Sequence, residues 1–260
     1  MRATVSTRSA VGWRIASFAV AAGMIGVWQL VANARLVAPA FLPGPDRAWA
    51  ALVRGFTDGD LLNKAAGTLQ HMALGWLVAS LVGIALGALI GSSPRLRTYV
   101  TPTLEFLRPL PASAIIPVAI ALFGLSQSMA LFVIAFGAVW PMLLSTVHGF
   151  AAVEPRLYEV ARALHLSRIA VIFKIGLPSA SPDILAGMRI SVTVALILSV
   201  VCEMLAGLDG LGHWILVSAR LFRSADLFAG VMLLGVIGYV TALVVAQVER
   251  RLLVWRRAGH

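Results

Sequence analysis

Apolar residues run along this chain in long blocks, not in strand-like alternation. Six blocks stand out, at about 15–32, 69–90, 99–123, 129–147, 184–205 and 227–248. Stretches this long with few charges predict membrane-crossing helices, each needing about 20 residues. The 22 residues of 69–90 would rise about 33 Å as a helix, enough for a hydrocarbon core of about 30 Å. The first block follows Arg2, Arg8 and Arg14, and Ala32-Asn33-Ala34 offers a cleavage pattern. It exceeds the 7–15 residues usual for a signal core and contains Trp28 and Gln29, so a retained helix is expected. In the third block Pro102, Pro109, Pro111 and Pro117 interrupt the apolar run, with Arg108 between two breaks. Backbone groups freed by proline find no partner in lipid, so this segment should face protein or a watery cavity.

Shorter patterns lie between the blocks. Trp49, Leu52, Val53 and Phe56 recur at helical spacing, which predicts a short amphipathic helix lying along the membrane interface or packed on a spanning helix. Gly83, Gly87 and Gly91 form a small-residue stripe that lets helices approach closely, most simply within the chain. Gly124 to Ser128 reads as a tight turn. The longest interior polar stretch, 148–183, opens with Pro155 where a helix would begin. Glu154 and Glu159 lie toward the start of that helix and Arg162 and Arg168 toward its end, as the helix dipole favours. Leu157, Val160, Ala161, Leu164 and His165 share one face. Such a helix between two spans can dock a soluble partner.

Composition agrees with a membrane home: 60% of the 260 residues are hydrophobic and 12% charged, against about 25% charged in soluble domains. The net charge of +10 does not mark a nucleic-acid binder, because the basic residues sit in short loops between apolar runs. With six spans, both termini lie on one side, together with 15 of the 21 lysines and arginines; the positive-inside rule makes that side cytoplasmic. We expect residues 1–14 to form a cytoplasmic N-terminus, 15–250 a single transmembrane domain and 251–260 a cytoplasmic tail.

Little in the chain suggests catalysis. H-E-x-x-H and G-x-S-x-G motifs are absent, and so is a phosphate-binding G-x-x-x-x-G-K-[ST] loop, so energy for any pumping must come from another polypeptide. The five histidines are scattered, and the single cysteine, Cys202, lies in an apolar run as a packing residue. No metal or cofactor is expected on this chain. Glu203, an acid near the outer end of the fifth block, is either part of a path or structural. Arg189 is expected to snorkel to the cytoplasmic headgroups. A secondary transporter would show broken helices in both halves, and only the region 109–117 has that character.

The segment from Glu159 to Pro178 resembles the signature of permeases in ATP-binding cassette importers: Glu159, Ala161, Ile175, Leu177 and Pro178 match in register. Val160 replaces an alanine of that signature, and His165 replaces the glycine that permits a turn after the coupling helix. Leu107-Arg108-Pro109-Leu110-Pro111, Phe41-Leu42-Pro43-Gly44-Pro45 and Glu203-Met204-Leu205-Ala206-Gly207 are similar to the nitrate, sulfonate, taurine and bicarbonate branch. His71 stands where many members of that branch carry an arginine.

The resemblance implies an all-α, type I importer permease with about six transmembrane helices and a coupling helix between the fourth and fifth. It implies a multi-pass protein of the bacterial inner membrane, acting as a homodimer. Its partners would be two cytoplasmic ATPase subunits, which carry ATP and magnesium, and an external solute-binding protein. The ATPase-coupling residues would be Glu159, Ala161, His165, Ile175, Leu177 and Pro178. The translocation-path candidates are Arg108, Pro109, Pro111, Ser113, Pro117, Ser199 and Glu203, with the third and fifth spans facing a cavity shared by two copies. The expected cargo is a small anion such as an aliphatic sulfonate, taurine, nitrate or bicarbonate. The alternatives are a vitamin-precursor heterocycle, or a different class altogether, a secondary transporter or an intramembrane enzyme.

Overall fold

The computed structural model describes residues 7–57 and 59–253, with side chains from Ala16 onward except that of Arg168. The charged positions Arg2, Asp58, Arg256 and Arg257, and the side chains of Arg8 and Arg14, lie outside the described residues. Every described element is helical: α1 (Thr7–Asn33), α2 (Pro45–Thr57), α3 (Leu61–Gly91), α4 (Pro94–Leu107), α5 (Ile116–Phe123), α6 (Gln127–Ala151), α7 (Pro155–Ala163), α8 (Arg168–Val171), α9 (Leu177–Ala206), α10 (Leu211–Arg220) and α11 (Ser224–Leu252). Five helical stretches are long and apolar enough to cross a membrane. A sixth crossing arises if α4 and the helical pair Ala112–Phe123, bent by 80°, count as one broken span. Of the prolines expected to interrupt a single span at 99–123, Pro109 and Pro111 lie between two helices joined through a 3-10 turn at Ala112–Ile115, whereas Pro102 is carried inside α4 and Pro117 in the first turn of α5.

Contacts gather the chain into two compact units. One comprises the first 62 residues with Trp214–Leu233. Here Pro45 opens α2 with Asp46 in its first turn, where proline costs no hydrogen bond and an acid meets the positive end of the helix. Ala48 and Ala51 are the buried residues of α2. The Trp28 indole donates to the Pro43 carbonyl oxygen at 3.0 Å, and its ring lies 5.4 Å from that of Phe228, so the first helix is tied into this unit.

The other unit comprises Asn63–His213 with the chain from Leu234 onward. Its core is the pair α6 and α9, closed by the Ser191 hydroxyl, which donates to the Ala138 carbonyl at 2.6 Å. The small-residue stripe of α3 lies against α6: a Cβ at Gly83 would come within 2.8 Å of Met142, and one at Gly91 within 2.6 Å of Phe150. Side chains there would force the helices apart, so the stripe serves packing within the chain.

Helix α9 begins earlier than the apolar block at 184–205 suggests. Helix α8 passes through a π-helical turn at Ile172–Gly176 into α9 without a loop. Pro178 is tolerated in the first turn of α9. Pro182 removes the amide that would bond the Pro178 carbonyl, and the Ser181 hydroxyl donates to that carbonyl instead, at 2.8 Å. Hydropathy locates the part of a helix that meets lipid, and here the helix extends beyond it.

Candidate functional site

Three places in the second unit gather the sequence-predicted residues. The first is α7. Its N-cap residue, Glu154, makes no side-chain cap bond, and Pro155 opens the helix. Two groups seat it on the rest of the unit: Ala161, 2% exposed, and the Tyr158 hydroxyl, which donates to the Phe150 carbonyl at 3.3 Å. Burial pushes the Tyr158 phenol above its ordinary value, with the nearby Arg97 charge opposing. Glu159 is exposed, and the apolar side chains of Leu157, Val160 and Leu164 are 40%, 54% and 66% exposed. The helix is held from one side and on the other presents a mixed apolar and charged surface, with Arg156 beside Glu159.

The turn that ends α7 is closed by His165. Its N–H bonds to the Arg162 carbonyl and that of Leu166 to the Ala161 carbonyl, both at 3.0 Å. This is a Schellman arrangement, whose key residue takes a left-handed conformation usually filled by glycine. His165 adopts it at φ +51°. The replacement of glycine therefore leaves the turn in place at a modest backbone cost. Of the other signature residues, Ile175 lies in the π turn, and Leu177 and Pro178 open α9. Gly176 packs directly under the Phe150 ring.

The second place is a cleft of about 570 Å³ bordered by the break after α4, by α6 and by α9. Arg108, Ser145, His148 and Asp183 are its polar lining, among otherwise apolar walls that include Trp140. The buried indole N–H of Trp140 has no partner among the described residues. Arg108 caps the end of α4, its N–H bonded to the Leu104 carbonyl. Neither the Arg108 nor the Asp183 side chain belongs to an ion pair among the described residues. Unpaired charges beside apolar helices call for water. Of the path candidates, Arg108 lines this cleft, and Pro109 and Pro111 in the neighbouring break, Ser113 in the 3-10 turn and Pro117 in the first turn of α5 are exposed.

Ser199 and Glu203 do not reach the cleft. Asp183, Ala186, Ile190 and Val194 are the cleft face of α9, and at about 100° per residue Ser199 and Glu203 lie on its opposite side. Both are fully buried. The Ser199 hydroxyl donates to the Ala195 carbonyl at 2.7 Å, within its own helix.

Glu203 forms the third place. One carboxylate oxygen accepts from the Thr68 hydroxyl and from the Gly212 N–H, each at 2.9 Å, and the other lies 3.1 Å from His71 Nδ1. The Thr68 oxygen in turn accepts the Leu211 N–H at 2.9 Å. Acid and hydroxyl together satisfy the first amides of α10, where the dipole favours negative charge. Any Cβ at Gly210 would overlap the carboxyl group, so that turn needs glycine. Lys64 pairs with Asp209 in the same assembly. The sequence singles out Glu203, and His71 as a departure from the branch, but not Thr68, Trp140, His148 or Asp183. The last three carry a signal, a polar or aromatic group in or beside two apolar blocks. Nothing in the sequence pairs Thr68 or His71 with Glu203, because that partner lies more than 130 residues away. Among the described residues no three His, Cys, Asp or Glu side chains group as a metal site.

A family described as the inner membrane component of binding-protein-dependent transport systems matches residues 68–254, a stretch that includes all three places. The chain belongs to that family. Curated relatives of this inner membrane component carry transport names. A Bacillus subtilis protein provisionally named aliphatic sulfonates transport permease protein SsuC is 32% identical, over 96% of this chain and 91% of its own. The taurine transport system permease protein TauC of Escherichia coli is 30% identical, over 92% and 89%. The nitrate import permease protein NrtB of Leptolyngbya laminosa is 30% identical, over 88% and 84%. Among solved structures, a chain of the MetNI methionine ABC transporter in inward-facing conformations superposes with a TM-score of 0.65 at 17% identity, covering 74% of this chain and 95% of that one. The fold is that of a type I ABC importer permease, and the chain is a transport permease rather than an enzyme.

Proposed function

We propose that this permease pairs with a second copy of itself to form the path for a small oxyanion, and that α7 couples the path to a separate cytoplasmic ATPase. The observation that carries the coupling is the divided surface of α7. Ala161 and Tyr158 fasten the helix to the membrane part, while Leu157, Glu159, Val160 and Leu164 are left uncovered. Exposed apolar groups on a short helix outside the lipid gain by burial against a partner, and the adjacent acid supplies specificity. ATP and magnesium belong to that partner, and an external binding protein delivers the solute. The names of the relatives, which include sulfonate, taurine, nitrate and bicarbonate carriers, favour an anionic cargo. Arg108 and His148 in the cleft are compatible with one. Both termini lie in the cytoplasm by the distribution of basic residues.

The test is co-purification of the ATPase with Glu159→Lys permease, together with ATP-driven uptake in vesicles. Charge reversal at this exposed position should abolish both while leaving the melting temperature of the membrane protein unchanged. Wild-type co-purification and uptake would mean that α7 is an ordinary loop helix.

A further inference from the structure

Helix α2 has three distinct sides. At about 100° per residue, Ala48, Ala51 and Gly55 share the side that packs on the rest of its unit. Trp49, Val53 and Phe56 share a second side and are 60%, 44% and 44% exposed. Arg47 and Arg54, seven residues apart, share a third, roughly 140° around the helix from that apolar stripe. An unpacked apolar stripe on a short helix next to membrane spans belongs in the acyl region of the bilayer, with the helix lying in the interface. Arginines on the far side of such a helix then stand at the level of the lipid phosphates.

These two arginines border a pocket of about 310 Å³, which Arg223, Asp226, Pro43 and Phe222 also line. Arg223 is paired with Asp226 at 3.5 Å. Neither Arg47 nor Arg54 has an ion-pair partner among the described residues. The rim is apolar and open. Phe222 and Phe41, 68% and 62% exposed, meet edge-on with ring centres 6.1 Å apart, and Leu221 beside them is 60% exposed. Positive φ at Phe222 (+55°) ends α10 there and leaves the ring on this rim.

We infer that the pocket binds the head group of an anionic phospholipid, its phosphate on Arg47 and Arg54 and the start of its acyl chains against Phe41 and Phe222. Guanidinium groups hold phosphate through paired, charge-assisted hydrogen bonds. A lipid offers both chemistries of the site in one molecule, an anion for the pocket and hydrocarbon for its rim. An acidic soluble protein surface would satisfy the arginines and leave the aromatic rim in water. The inference needs only that the chain is a membrane protein and is independent of how α7 is used.

Native mass spectrometry of the detergent-purified permease, after exchange into mixtures of phosphatidylglycerol and phosphatidylcholine, tests this. The wild type should retain phosphatidylglycerol preferentially. Arg47→Gln/Arg54→Gln should retain about tenfold less of it, the weight of a charge-assisted bond to phosphate, with phosphatidylcholine unchanged. Arg47→Lys/Arg54→Lys, which keeps the charge and disturbs packing least, should keep most of the selectivity. Arg95→Gln, on α4, should behave as wild type. Equal retention of phosphatidylglycerol by the Gln variant and the wild type would overturn the inference. Parallel loss of both lipids would overturn it as well, as would displacement of the lipid by millimolar inorganic phosphate, which would mark a free-anion site.

Discussion

Two glutamates, Glu159 on α7 and Glu203 at the end of α9, sit in opposite surroundings. Glu159 is exposed, and no hydrogen bond or ion pair of its carboxylate is present among the described residues. Glu203 is fully buried and is met by Thr68, His71 and the Gly212 amide. An acid that touches nothing costs the fold nothing to change, so its value lies in what it meets outside the chain. A buried acid with all its neighbours inside the chain is bound up with the fold itself. The same residue type therefore reads as a docking group in one place and as an internal tie in the other.

The largest break in this comparison comes from Glu203→Ala. It strands the Thr68 hydroxyl, His71 and the Gly212 amide in a dry interior, and should cost about 3–5 kcal/mol. Thermal unfolding in detergent, read by circular dichroism, would reveal it; an unchanged melting curve would mean that water replaces the carboxylate. Thr68→Val keeps the shape and deletes the hydroxyl that both gives to Glu203 and accepts from Leu211, for a cost of about 1–3 kcal/mol by the same measurement. At the other end, His165→Gly relieves a left-handed backbone and should stabilise by up to about 1 kcal/mol without changing ATPase co-purification. Glu159→Lys should fall within about 0.5 kcal/mol of wild type in stability, which makes its expected loss of coupling a clean result.

The smallest effect concerns pH. Burial raises the Tyr158 value, so the folded protein holds the phenol proton at a pH where the unfolded chain has released it. That contribution is complete below pH 10.0, the ordinary tyrosine value, and fades as pH rises beyond it. Tyr158→Phe should flatten the alkaline part of a stability profile and leave the acid part untouched.

Much of this architecture is legible in the sequence, because the strongest signals are one-dimensional. Lipid demands long apolar runs, proline announces where helices start or break, and the glycine stripe of α3 states its own purpose in its four-residue spacing. Helix α7 opens at Pro155, where the sequence places a helix start. What the sequence hides is which side of a long helix faces what. Glu203 and Arg108 are both charges beside apolar blocks, yet one turns into the packing and the other lines a cleft. Position in the fold separates the two cases: Arg108 sits at the end of α4, and Glu203 on the side of α9 turned away from the cleft. The early start of α9 is hidden for a different reason: Pro178 and Pro182 look like punctuation until the Ser181 hydroxyl is seen repairing the backbone.

The π-helical turn between α8 and α9 has a mechanical meaning. The Leu177 N–H reaches back five residues to the Ile172 carbonyl, one more than in an α-helix. A surplus residue is thereby stored in the shaft that joins the α7–α8 segment to a membrane helix. Were that turn to tighten to α geometry, the surplus would have to emerge at one end or the other. Its size sets the step: one residue, or about 100° of rotation and 1.5 Å of advance.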